Sequence, residues 1–168
     1  MTAAWTWSAY LVLAFGVAPL LFRIRFRRWP FVPPRLDEYS IVEVIYATLL
    51  GVYTAWLWLD PAPVPVRPPF GWLFYSAGAG LVLLSSWSMG KSWRIGQDAS
   101  DPDVEHVATT LQRWLSHPIY VGLVLLALGQ CLLDGRDAWP RSMLLLGSTM
   151  TYVLVQGRAE ARRWSGRL

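Results

Sequence analysis

The sequence predicts an all-α integral membrane protein of about five transmembrane helices, N-terminus out and C-terminus in, the last two forming a short hairpin. Three observations carry this expectation. Of 168 residues, 54% are hydrophobic and only 15% charged, and the mean hydropathy is +0.33, too oily for a soluble domain of this size. The apolar residues fall in continuous runs and do not alternate, which argues against a closed β-barrel and for helices, the other form that satisfies its backbone within lipid. Basic residues gather between alternate runs. The whole chain, 1–168, reads as one membrane domain.

The first run, Thr6 to Phe22, is followed by the basic segment RIRFRR, so it reads as a retained span and not as a cleaved leader, whose charges would come first. The second, Tyr39 to Leu59, is interrupted only by Glu43. The third extends from Phe70 to Met89, and its SAGAG segment, Ser76 to Gly80, supplies small residues that let helices approach closely. The fourth, Ile119 to Leu133, and the fifth, from about Ala138 to Gln156, are short against the roughly 20 residues of a span. The polar turn DGRD, Asp134 to Asp137, joins them as antiparallel neighbours shielded in part by the longer helices.

Charge sets the orientation. With the N-terminus outside, twelve of the fifteen basic residues fall on the inner side, and only Arg67, Arg136 and Arg141 fall outside. The net charge of +4 then reflects topology and contact with lipid headgroups, not nucleic-acid binding. All eleven tryptophans lie near span ends or in loops, as interfacial anchors do. The single cysteine, Cys131, permits no intramolecular disulfide and implies no cysteine-based metal site.

The outer connection DPAPVPVRPP is stiff and carries little chemistry. Reactive side chains collect instead on the inner face, in the polar stretch Gly90 to Pro118 and the tail RAEARRWSGRL. Within them, GKS at Gly90 to Ser92 is not a phosphate loop, because Ser85 occupies the position where that motif needs its first glycine. His106 and His117 stand eleven residues apart without further ligands, so no metal site is expected. One feature goes beyond packing. In WLSHPIYVG, Pro118 suits the first turn of a helix, while His117 and Tyr120 share a face of it beside a helix N-terminus that attracts anions.

The order SMGKSWRIGQD, then His106, then ATT, then RWLSHPIYVG, an apolar run and a polar tail with Glu160 resembles the isoprenylcysteine carboxyl methyltransferase and phospholipid methyltransferase family. The resemblance covers about Ser88 to Glu160. It implies an integral membrane enzyme of the bacterial inner (cytoplasmic) membrane that uses S-adenosylmethionine to methylate a lipophilic small molecule or lipid. The cofactor region would comprise about residues 88–122 and the tail 157–168. By the same resemblance His106, Thr109, Thr110, His117, Tyr120 and Glu160 would hold the cofactor, and Arg158 would orient an anionic acceptor. Trp93 or Trp114 would face the sulfonium through a cation–π contact, with an interfacial anchor as the alternative for each.

This chain departs from the family pattern at four places, one being TTLQRW, which shortens the usual Thr-x-Gly-Pro-Tyr approach and lacks its Gly and Pro. Ser116 stands where the family has an arginine, the Glu-Glu pair is reduced to Glu160 within RAEA, and family members usually continue for several tens of residues beyond that pair. Two other readings therefore stay open: a non-catalytic relative that keeps the helical scaffold, and an NADPH-dependent membrane reductase, whose similar His-Pro-x-Tyr segment is followed by Gly-Glu where this chain has Val121 and Gly122. Stabilisation by S-adenosylhomocysteine, by NADPH or by neither separates the three.

Overall fold

The computed structural model of the chain describes residues 3–31, 38–61, 69–93, 115, 117–134 and 138–165, with the side chains at 38–40, 91 and 160–165 outside the description. Regular structure in these residues is helical: α1 is Ala3–Phe26, α2 Glu38–Leu59, α3 Pro69–Ser88, α4 Pro118–Asp134 and α5 Trp139–Ser165. Three helices are long and apolar enough to cross a membrane, namely α1, α2 from Ile41 onward, and α3.

Local sequence sets the helix ends. Prolines open α3 and α4, where the absent N–H would have no partner within the helix. Helix α1 ends at Arg27, which takes the left-handed conformation (φ 55°) while its N–H bonds the Arg23 carbonyl at 2.8 Å. After α3, Gly90 has φ 56° and turns the chain so that Trp93 packs edge-on against Phe22, with ring centroids 5.3 Å apart. Inside α1, Val12–Val17 forms a π-helical segment whose following N–H, that of Ala18, bonds Leu13 O five residues back. The ring of Pro19 would crowd the carbonyl of Phe15 in a regular helix, and the wider turn relieves this.

The pairs α1/α2, α3/α4 and α4/α5 run antiparallel, and α4 is the centre of the bundle, touching α1, α3 and α5. Its seam with α3 is the closest. A Cβ on Gly78 would lie 2.3 Å from the backbone nitrogen of Leu126, and one on Gly129 would lie 2.2 Å from that of Tyr75. Gly122 completes the seam, its missing Cβ leaving room for the Gly78 carbonyl. The expected close approach at SAGAG is therefore made by Gly78, whereas Gly80 faces open space. Helix α5 packs against both α2 and α4, and Cys131 donates to the Ser142 carbonyl across the latter contact.

The exterior is apolar and the interior partly polar. Val12, Phe15 and Ile24 of α1, Val44 and Ile45 of α2, and Met143 and Leu154 of α5 are exposed. Thr6, Gln130, Asp134, Arg141, Thr149 and Gln156 are buried, beside a core of Trp7, Tyr10, Tyr53, Leu57, Leu126 and Leu145. That inversion matches a bundle whose outer surface meets lipid and whose polar groups face one another.

Three expectations need correction. The first helix extends three residues before Thr6 and four beyond Phe22, because Arg23 and Arg25 continue it. The fifth element does not stop near Gln156. It continues as one helix of 27 residues to Ser165, whereas α4, at 17 residues, is short as expected. Trp7 is no interfacial anchor either, being 2% exposed and donating from Nε1 to Thr54 Oγ1 at 2.8 Å.

Candidate functional site

At the end of the bundle where α4 begins, the HPIY segment behaves as its residue types require. His117 is the residue before the helix, and its carbonyl accepts the first helical bond, from Val121 N at 3.1 Å. With Pro118 lacking an N–H, the first turn directs the N–H groups of Ile119 and Tyr120 toward the helix end, where no carbonyl of the helix itself can reach them. His117 is exposed and Tyr120 half-buried, with their rings 5.5 Å apart, so the expected common face exists.

A chain of aromatic contacts leads inward from this pair. Tyr120 meets Tyr152 of α5 edge to face at 6.4 Å, and Tyr152 stacks on Tyr46 of α2 at 4.3 Å with an 11° interplanar angle. The Tyr46 hydroxyl shares a 3.2 Å hydrogen bond with Thr149 Oγ1. Beside the stack, α2 and α5 leave a groove of about 300 Å³, walled by Val42, Ile45 and Leu49 on one side and Met143, Gly147 and Thr151 on the other. A bare helix surface at Gly147, where a Cβ would meet nothing within 4 Å, helps to open it.

Arg158 is exposed on α5, six residues past Tyr152 and so about 9 Å farther along the axis toward the same end. Gln156, two residues earlier and so on nearly the opposite face, is fully buried. The backbone at Glu160 continues the helix, and its side chain lies outside the description, as do His106, Thr109, Thr110, Trp114 and Ser116 entirely. The structure thus brings together His117 and Tyr120 and carries Arg158 to the same end of the bundle. Trp93 is 6% exposed and spends one edge of its ring on Phe22. Glu43 is half-buried on α2. Among the described residues, no group of three His, Cys, Asp or Glu side chains is placed to hold a metal ion.

The opposite end holds a polar cluster that the sequence reading treated as a turn and a loop charge. Arg141 Nε and Nη2 each donate to Asp134 at 2.8 Å, and Nη1 donates to the Asp60 carbonyl at 2.6 Å and to its Oδ2 at 3.1 Å. Tyr53 donates its hydroxyl to Asp134 Oδ2 at 3.4 Å. One turn deeper, Gln130 Nε2 donates to the Ala3 carbonyl at 3.2 Å and Thr6 Oγ1 donates to Gln130 Oε1 at 3.4 Å, while the Tyr75 hydroxyl donates to the Thr6 carbonyl. All five helices contribute to this cluster. Among the described residues the only buried side-chain polar atom without a partner is Ser142 Oγ. A fully satisfied cluster of this kind locks the bundle together and leaves little capacity for a ligand.

Comparison with protein-family models, with curated proteins and with solved structures yields no match.

Proposed function

We propose that the protein is an integral membrane methyltransferase that uses S-adenosylmethionine to modify a lipophilic or lipid substrate at the cytoplasmic face of the bacterial inner membrane. In this reading all five helices span, with the N-terminus out and the His117 end of the bundle in the cytoplasm. The apolar exterior and the twelve basic residues on inner segments support that topology.

The observation that carries the proposal is the meeting of two segments distant in sequence. The His117–Tyr120 face of α4 abuts Tyr152, and the helix bearing Tyr152 continues to Arg158 and Glu160. These are the two segments that the family resemblance pairs.

The residues present suit such a cofactor. An exposed histidine beside the N-terminus of a 17-residue helix suits a carboxylate, and the faces and edges of Tyr120 and Tyr152 suit a flat base. His117 and Tyr120 would bind it, joined by His106, Thr109, Thr110 and Glu160. When bound, S-adenosylmethionine supplies a sulfonium methyl to a nucleophile on the acceptor and leaves as S-adenosylhomocysteine. Arg158 would orient an anionic acceptor through its guanidinium fork. Alignment and desolvation provide the acceleration, so the site requires no acid–base dyad.

The test is calorimetric binding of S-adenosylhomocysteine to the purified full chain in detergent, with NADPH as a second ligand and with His117→Ala and Glu160→Ala alongside. Saturable binding weakened by both substitutions is expected. A folded sample that binds only NADPH, or neither ligand, overturns the proposal.

A further inference from the structure

Where α1 ends, four arginines occur within six residues, and their arrangement goes beyond topology. Arg23, Arg25 and Arg27 are exposed, and among the described residues none has a carboxylate partner. Aromatic rings hold two of them in place. The Arg23 guanidinium carbon lies 4.8 Å from the centre of the Trp29 ring, and that of Arg25 lies 4.9 Å from the Trp87 ring and 5.1 Å from the Phe26 ring. Trp87 belongs to α3, so the cluster is built across two helices.

Local geometry assembles it. The left-handed turn at Arg27 ends α1 and returns the chain so that Trp29 covers Arg23. The Phe22–Trp93 contact pins the end of α3 alongside. A guanidinium stacked on a ring uses its face and keeps its N–H edge for an oxyanion, with less side-chain freedom left to lose on binding. The carbonyl end of α1 also favours cations there. Around the charges, Ile24, Trp29, Phe31 and Trp87 are all exposed, at 69%, 46%, 45% and 55%. Exposed rings and aliphatic surface flanking unpaired guanidinium edges complement a molecule with an anionic phosphate head and apolar chains.

We propose that the Arg23, Arg25 and Arg27 cluster, framed by Trp29 and Trp87, is a binding site for the phosphodiester headgroup of an anionic phospholipid. The inference depends on the chain lying in a membrane and not on methyl transfer, so the two can fail separately.

The experiment titrates the full chain, purified in a neutral detergent, with phosphatidylglycerol, with phosphatidylcholine of the same chains, and with inorganic phosphate, reading thermal stability and lipid adducts by native mass spectrometry. Phosphatidylglycerol is expected to bind and raise the melting temperature, while the other two do so weakly. Arg23→Gln with Arg25→Gln should weaken phosphatidylglycerol about tenfold for each guanidinium removed, the worth of one charge-assisted hydrogen bond. Trp87→Leu keeps every charge yet should lower affinity severalfold by freeing Arg25, and it serves if the double variant fails to fold. Equal response to the two lipids, equal response to inorganic phosphate, or undiminished binding by the Trp87 variant overturns the proposal.

Discussion

The guanidinium of Arg141 holds the carboxylate of Asp134 through two parallel hydrogen bonds, each 2.8 Å long, with the two side chains 1% and 0% exposed. Removing one partner leaves a buried charge uncompensated. Arg141→Met is expected to destabilise the protein by about 3–5 kcal/mol, while Asp134→Leu with Arg141→Met should regain most of that loss. Unfolding of the three proteins in one detergent measures it. Additive losses in the double variant would mean that the pair is not coupled as the geometry requires.

The α3–α4 seam predicts opposite outcomes for two glycines. In Gly129→Ala the new methyl falls on the Tyr75 backbone, which cannot yield without separating the helices, so a loss of several kcal/mol is expected, as for an overpacked core. In Gly80→Ala the methyl meets nothing within 4 Å, and the better helix propensity should stabilise by about 0.5–1 kcal/mol. Thermal melts of the two variants side by side decide the matter, and equal behaviour would contradict the described seam.

Trp7 and Thr54 share a hydrogen bond between α1 and α2. Trp7→Phe leaves the threonine hydroxyl without its donor, and Thr54→Val leaves the indole without its acceptor. Each change should lose about 1–2 kcal/mol, and the double variant should lose less than the sum. A double-mutant cycle on unfolding free energies reads the coupling directly.

The proposed orientation predicts which side of the membrane each end of α2 and α1 meets. In a Cys131→Ser background, Leu59→Cys should react with a membrane-impermeant maleimide added to intact cells. Trp29→Cys should react only after the cells are permeabilised. Both native side chains are exposed, at 86% and 46%, so burial does not mask either site. The reverse labelling pattern would invert the topology.

The five helices were legible because each apolar run ends where proline, glycine or clustered charge interrupts it. The face shared by His117 and Tyr120 was legible too, since a proline at a helix start fixes the register of the residues around it. The Asp134 cluster was not. Asp134 and Arg141 flank the predicted DGRD turn, whose residues 135–137 lie outside the described structure, and resemble loop charges. Nothing local indicates that Asp60 and Tyr53 come to meet them. The α3–α4 seam left a signal that went unused: Gly71 and Gly78 are seven residues apart in the third run, and Gly122 and Gly129 are seven apart in the fourth. Two such pairs in successive runs mark facing stripes of a helical pair. The helical continuation to Ser165 was hidden because arginine and alanine support a helix without lengthening the apolar run.

The π segment of α1 separates the length of that helix from its packing. Buried positions recur at Ala3, Trp7, Tyr10 and Ala14, and then at Pro19 and Phe22. In a regular helix the eight residues from Ala14 to Phe22 would rotate the stripe by about 80° and carry Phe22 away from its neighbours. The wide turn at Val12–Val17 takes up that rotation, acting as a phase correction that keeps Phe22 on Trp93. The same extra residue gives the Pro19 ring its room, so a single deletion between Leu13 and Gly16 combined with Pro19→Ala should yield a regular helix with both ends still seated.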